Sequence, residues 1–103
     1  MIKHIVLFSF KDSFTSVEID NLFVSLGDLK KLIPQIKSYS YGKNNSNENL
    51  NHNLDYGVVM DFETELDRDF YLKHAEHMKI VQEVILPNLK DGVNSVLVLD
   101  YKY

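Results

Sequence analysis

The sequence predicts an α+β fold with the element order βαββαβ, and three observations lead to this prediction. Four segments alternate apolar and polar residues in the manner of half-buried strands, and two segments repeat apolar residues at helical spacing. Proline, glycine and capping residues mark the ends of the helical segments. The length of 103 residues suits one domain over residues 1–103, with a small core.

The first strand is predicted over Ile2–Lys11, where the even-numbered positions form an apolar face that only His4 interrupts. A helix follows, because Thr15 and Glu18 have the spacing of a capping box. Its apolar stripe consists of Ile19, Leu22, Phe23, Leu26, Leu29 and Ile33. Pro34 disfavours helical geometry in the residue before it, so we expect the helix to end there.

Two further strands are separated by a polar loop. Ile36–Lys43 is predicted as a weak strand at the edge of the sheet, because serines alternate with its tyrosines. Six of the ten residues from Asn44 to Asn53 are asparagine, which favours turns and builds no core. Leu54–Glu63 alternates again and is predicted as the third strand.

A second helical region begins with another cap, formed by Thr64 and Asp67. We expect a break near His74, and Pro87 and Gly92 mark the end of this region. The apolar positions of the region are Leu66, Phe70, Ile80, Val81, Val84, Ile85 and Leu89. The last strand is predicted over Ser95–Tyr103.

This order is the split βαβ arrangement of a ferredoxin-like fold. Two helices cover only one face of a four-stranded sheet, and the other face still carries five apolar side chains. These are Ile5, Leu7, Val59, Leu97 and Leu99. A patch of this kind is too apolar to stay in water, and the same face of a second copy covers it most simply. We therefore expect a homodimer through the open sheet face, which makes a dimeric α+β barrel.

The composition excludes several classes of protein. There is no cysteine, so disulfides, thiolate nucleophiles and cysteine-ligated metal sites are excluded. A net charge of −4 without a basic stripe argues against nucleic-acid binding. Apolar stretches are too short to cross a bilayer and no leader pattern is visible, so we expect a cytoplasmic protein without membrane contact. No phosphate loop or dinucleotide fingerprint is present, and we expect no cofactor.

The second helical region concentrates the titratable groups. His74 and His77 are three residues apart and share a face if the helix is continuous. A metal site needs a third ligand, and the sequence has no His-Glu-x-x-His spacing, so no metal is expected. Surface or helix-capping histidines are the alternative, and for His74 this alternative is favoured over any function.

An acid–base site is the second interpretation of these residues. An imidazole such as His77 and a nearby phenol such as Tyr71 can pass a proton to and from a carbonyl substrate. Asp100 can orient an imidazole. The alternative is that Tyr71 is an amphipathic residue at the edge of the core. His4 is more simply a core histidine with a backbone or tyrosine partner, and Tyr56, on the equivalent face of the third strand, is the candidate tyrosine. Five apolar residues either belong to the core or line a cavity: Val6, Phe23, Leu26, Val58 and Val98.

Several segments, in the right order, resemble the stress-responsive dimeric A/B-barrel (Dabb) family. The opening strand from Met1 to Lys11, the middle strands around Gly42 and Gly57, the segment from Tyr71 to His77 and the closing Val98–Tyr101 carry the similarity. The resemblance implies a ferredoxin-like monomer that dimerises into a barrel. Most members have no established reaction, and some are similar in holding a cation on backbone carbonyls, here around Lys30, Ile33 and Ile36.

Plant members of the family include a polyketide cyclase that closes a ring by an aldol reaction, and the resemblance maps its acid–base pair onto Tyr71 and His77. Two positions depart from the family pattern, because Tyr56 replaces a pocket histidine and Ala75 replaces a proline. The candidate ligand-contacting residues are then His4, Val6, Phe23, Tyr56, Val58 and Asp100.

Two functions stay open. The first is a pocket for a small apolar or aromatic carbonyl or polyketide-like compound, with or without turnover. The second is a non-catalytic stress-response or interaction module whose dimer is the functional unit. A haem-degrading monooxygenase is disfavoured, because the chain has no tryptophan and no evident haem-ligating histidine.

Overall fold

The computed structural model describes residues 1–103 and confirms the ferredoxin-like α+β fold. Its strands are β1 (Ile2–Phe8), β2 (Ser38–Lys43), β3 (Tyr56–Phe62) and β4 (Val96–Lys102). Its helices are α1 (Ser16–Leu32), α2 (Glu65–Lys73), α3 (Ala75–Ile80) and the single turn α4 (Leu86–Asn88). A π-helical segment, Val81–Ile85, joins α3 to α4, and a 3-10 turn, Gly92–Ser95, precedes β4.

The four strands form one antiparallel sheet in the order β2-β3-β1-β4. β2 lies at an edge, as its polar composition predicts. β1 lies between β3 and β4, and its His4 is opposite Met60 of β3 and Asp100 of β4. Even-numbered side chains of β1 face the helices, and this face contains the core.

The strands are shorter than the sequence pattern predicts. β1 ends at Phe8, where Ser9 donates its backbone N–H to the carbonyl of Ser95 at 2.9 Å. Phe10 then forms only an isolated bridge with Leu89. The Phe10 side chain packs in the core beside Phe8. The alternation of apolar and polar residues in the sequence therefore continues past the last residue of the strand.

Helix α1 begins and ends where the sequence predicts. The Thr15 side chain accepts the N–H of Glu18, and the Glu18 side chain accepts the N–H of Thr15, so both halves of the capping box are present. The backbone N–H of Ile33 closes the last turn on the Leu29 carbonyl at 2.7 Å. Gly27 lets α1 approach β2 closely, because a Cβ atom there would lie 2.8 Å from the ring of Tyr39.

The second helical region breaks as predicted, although its first apolar positions do not face the core. Thr64 caps α2, but Leu66 and Phe70 are 79% and 50% exposed. They lie four residues apart on the outer side of α2, whereas Tyr71 faces the sheet and is buried. The break occurs at His74, whose backbone is extended, even though position 75 holds an alanine where the resembled family has a proline.

The opposite face of the sheet has no covering layer within the chain. Ile5, Leu7 and Val59 are partly buried there, whereas Leu97 and Leu99 are 45% and 53% exposed. No helix has the length and apolar character needed to pass through a bilayer.

The contact between Gly27 and Tyr39 generates a stability prediction. We expect Gly27→Ala to lower the free energy of unfolding by about 1 kcal/mol, because overpacking against the ring outweighs the gain in helix propensity. Urea denaturation of the purified protein measures this difference. Gly42→Ala is the matched control, since a Cβ atom there meets nothing within 4 Å. A Gly27→Ala protein as stable as the Gly42→Ala protein would contradict the close approach.

Candidate ligand-binding cavity

A cavity of about 500 Å³ lies between the sheet and the helices, above β1 and β4. It exists because α1 packs over β2 and α2 packs over β1 and β3, so no long helix covers β4. The short segments from α3 to the 3-10 turn form its outer wall instead. Its lining consists of His4, Val6, Phe8, Leu26, Val58, Tyr71, Leu72, His77, Val81, Ile85, Leu86, Leu89, Val93, Val96, Val98 and Asp100.

Only four polar side chains line this otherwise apolar cavity: His4, Tyr71, His77 and Asp100. They come from four different elements, β1, α2, α3 and β4. A mostly apolar wall with a few placed polar groups is typical of a site for a small organic ligand.

Tyr71 and His77 are in direct contact, as the sequence predicts. Their ring centroids are 4.4 Å apart, with the planes tilted by 49°. Burial raises the pKa of the Tyr71 phenol well above its ordinary value. Tyr71 therefore keeps its proton at neutral pH, and its hydroxyl can donate a hydrogen bond.

The other ring partner, His77, is held in one tautomer. Its Nδ1 lies 3.0 Å from the backbone carbonyl of Leu72. Because a carbonyl only accepts, Nδ1 carries the hydrogen and the neutral ring keeps its lone pair on Nε2. Burial lowers the pKa of His77, and the nearby His4 and His74 lower it further, while the Leu72 carbonyl opposes this. His77 is therefore neutral near pH 7, with a lone pair on Nε2 that can accept a proton.

His4 is a buried histidine with a partner other than the one expected. Its Nδ1 lies 2.7 Å from Oδ1 of Asp100, the residue directly opposite on β4. The interpretation of Tyr56 as its partner is wrong, because the register places Tyr56 opposite Phe8, four residues along β1. Asp100 does orient an imidazole, and the imidazole is that of His4.

Two of the predicted ligand-contacting residues lie outside the cavity. Val6 and Val58 line it, as do His4 and Asp100, but Phe23 and Tyr56 do not. Phe23 is fully buried and stacks on Tyr41, with ring centroids 5.0 Å apart. Tyr56 packs against Phe23 and Phe10 in the same aromatic cluster. Phe23 belongs to the core, and Tyr56 is partly buried and packs against it.

The capping interpretation of His74 agrees with the structure. His74 Nδ1 accepts the backbone N–H of Glu76 at 3.1 Å and so caps α3. His77 lies beyond the break, so the two histidines do not share a continuous helix. No group of three or more His, Cys, Asp or Glu side chains is arranged to hold a metal ion.

Arg68 is a residue of this site that the sequence interpretation does not include. Its Nη1 lies 3.2 Å from Oδ2 of Asp100, and its Nε lies 3.1 Å from Oδ1 of Asp69. The only signal for it in the sequence is a cation three residues before Tyr71, which places it on the same side of α2. The π-helical wall residues Val81 and Ile85 have no signal beyond helical periodicity.

The sequence of the chain is similar to those of known proteins. The family model described as Stress responsive A/B Barrel Domain matches residues 2–103. Stress-response A/B barrel domain-containing protein HS1 from Arabidopsis thaliana is 32% identical over 101 residues, which cover 98% of this chain and 88% of that protein. Olivetolic acid cyclase from Cannabis sativa is 26% identical over 77 residues, 75% of this chain and 76% of the cyclase.

Solved structures agree with the sequence comparison. A crystal structure of an Arabidopsis thaliana protein matches with a TM-score of 0.90 at 31% identity, over 100% of this chain and 95% of that chain. A dimeric ferredoxin-like protein of unknown function from Thermobifida fusca matches with a TM-score of 0.78 at 26% identity, over 99% of this chain and 90% of that chain. The chain therefore belongs to the stress-responsive A/B barrel domain family.

Proposed function

We propose that the protein binds a small, partly apolar carbonyl compound in the cavity, and that His77 and Tyr71 exchange protons with it. The single observation that carries this proposal is the contact of the two rings at the polar end of an apolar cavity. The volume of about 500 Å³ lies within the range of small-molecule sites.

The two side chains have complementary roles. His77 Nε2, with its lone pair, accepts a proton from a carbon next to the carbonyl, and the electron pair moves into the enolate. The protonated Tyr71 donates a hydrogen bond to the oxygen that becomes negative. The proton then returns from His77 to the product. An aldol closure of a polyketide-like chain is one reaction that uses these steps.

The relatives support this proposal at the level of a small-molecule site. Olivetolic acid cyclase is by name an enzyme acting on a small organic compound. HS1, which is more similar in sequence, is named for its stress-response domain and not for a reaction, so the non-catalytic module stays the alternative. The same experiment separates the two.

We also propose that two copies pair through the open sheet face. The face exposes Leu97, Leu99 and Tyr101 by 45%, 53% and 46%. Covering such a patch with its own copy gives a closed, symmetric contact. The related protein from Thermobifida fusca is described as dimeric.

Ligand binding should depend on His77. In NMR ligand-shift screening with small aromatic ketones and polyketide-like acids, we expect the wild type to bind and His77→Ala to bind about tenfold more weakly, since one hydrogen bond to a buried polar atom is lost. Turnover of any bound carbonyl compound should disappear in this variant. His52→Asn is the control, because His52 is exposed in the loop and asparagine tolerates its positive φ of 51°. Equal binding by all three proteins, or no binding by any, would support the non-catalytic module.

The lowered pKa of His77 predicts a pH dependence of stability. The unfolded chain takes up a proton on this residue below about pH 6.5, whereas the folded chain resists protonation until lower pH. The free energy of unfolding should therefore fall as the pH decreases from 7.5 to 5.5. In His77→Gln, which cannot titrate, we expect a smaller fall in urea denaturation across the same range. Parallel curves for the two proteins would contradict the burial of a neutral His77.

The sheet-face dimer has its own test. We expect Leu99→Lys to convert the protein from dimer to monomer in sedimentation experiments at micromolar concentration, because the charge is buried in the contact without a partner. Val24→Lys on α1 is the matched control, since Val24 is 52% exposed and lies on the helix side. A wild-type protein that sediments as a monomer would refute the dimer.

A further inference from the structure

The break between α2 and α3 lies in a stretch of sequence that by itself favours one continuous helix. Lys73, Ala75 and Glu76 are good helix formers, and neither glycine nor proline occurs between Thr64 and Leu86. The backbone between them is nevertheless extended at one residue, His74, with φ −65° and ψ 135°. Contacts made at the break must therefore stabilise it.

One helical hydrogen bond is replaced at the break by two bonds to imidazole rings. In a continuous α-helix, the backbone N–H of Glu76 would donate to the carbonyl of Leu72, four residues earlier. Here the Glu76 N–H donates to Nδ1 of His74 at 3.1 Å. The Leu72 carbonyl lies 3.0 Å from Nδ1 of His77 and accepts its hydrogen. The two histidine side chains therefore satisfy both backbone groups that the break leaves without their helical partners.

His74 also joins the two helices through its backbone and its ring. Its backbone N–H donates to the carbonyl of Tyr71 at 3.1 Å, and its carbonyl accepts the N–H of Met78 at 3.0 Å. Its ring lies edge-on to that of Phe70, with centroids 5.8 Å apart and planes at 71°. Phe70 is half exposed, and this contact steadies the capping ring from the last turns of α2.

The contact between Tyr71 and His77 depends on this break. Two residues six positions apart in a continuous helix are separated by about 9 Å along the axis and about 120° around it. Their side chains would then point to different sides of the helix. At the break, the ring centroids of Tyr71 and His77 are 4.4 Å apart. The direction of α3 relative to α2 therefore decides whether the pair exists.

We propose that His74 is a positioning residue: by capping α3 at the break, its side chain sets the direction of α3 and so places His77 against Tyr71 in the cavity. The use of this pair by a ligand rests on the proposed function. The placement of the pair does not, because it is a property of the ligand-free protein.

The nuclear Overhauser cross-peak between the rings of Tyr71 and His77, measured in the ligand-free protein at pH 7.5, tests the proposal. Alanine cannot cap and favours a continuous helix, so in His74→Ala we expect the cross-peak to lose roughly half its intensity or more. Binding of acetophenone, a small aromatic ketone, should weaken about fivefold in this variant. In His74→Asn, whose side-chain oxygen caps a helix well, both quantities should stay close to the wild type.

Thr64→Ala is the matched control, because it removes a cap of the same kind at the other end of α2. Thr64 Oγ1 accepts the backbone N–H of Asp67 at 3.1 Å, far from the break. This variant should lower the thermal midpoint as His74→Ala does, but it should leave the cross-peak unchanged. If His74→Ala does not fold, Phe70→Ala, which removes only the ring contact, should weaken the cross-peak in the same direction.

Three results would overturn the inference: an unchanged cross-peak in His74→Ala, an equal loss in His74→Asn, or an equal loss in Thr64→Ala. Its failure is distinguishable from failure of the proposed function. If no protein binds acetophenone while the cross-peak changes as expected, the carbonyl site is refuted and the role of His74 stands. If the wild type binds acetophenone and the cross-peak does not respond to His74→Ala, the reverse holds.

Discussion

The whole molecule depends on an incomplete covering of one sheet. A four-stranded sheet has two faces, and this chain provides one long helix and a series of short ones. α1 and α2 cover β2, β3 and β1, which leaves the helix side of β4 under the short segments after Ile80. The opposite face has no cover of its own. The cavity and the apolar open face therefore have the same origin, which is a shortage of helix relative to sheet.

The alternation of strand side chains decides what that cavity contains. Because β1 and β4 run antiparallel in a fixed register, the even-numbered His4 of β1 lies directly opposite the even-numbered Asp100 of β4, and the two form a pair. Tyr71 and His77 arrive from the other side, on two helices that the break at His74 sets at an angle. The backbone of a different element holds each of these four polar side chains. The fold therefore brings them together at one end of the cavity, and the apolar residues form the surrounding wall. Preorganisation of this kind is what the proposed proton exchange with a ligand would require.

Much of the fold and part of the cavity lining are predictable from the sequence, and the predictions that were wrong failed for physical reasons. The capping box at Thr15, the edge position of β2 and the break at His74 follow from local chemistry, which a sequence displays directly. The Tyr71–His77 contact was predictable from the two residue types and their closeness along the chain.

The partner of His4 was not predictable, because it depends on the register between strands. Tyr56 and Met60 both lie on the apolar face of β3, and only the pairing of β1 with β3 decides which of them lies opposite His4. Phe23 was misplaced for a similar reason. The apolar spacing of α1 predicts which residues face the sheet, but it does not predict which of them border the cavity.

The π-helical segment has a consequence for how the family can diversify. A π-helix is an α-helix with one residue inserted, so deletion of a single residue within Val81–Ile85 would restore the regular helix and rotate everything after it by about 100°. Ile85 and Leu86, which border the cavity, would then be exchanged for neighbours of different chemistry. A length change of one residue, with no substitution at all, would thus change the lining of the cavity. Changes in length of the asparagine-rich loop, which lies away from the cavity, have no such effect.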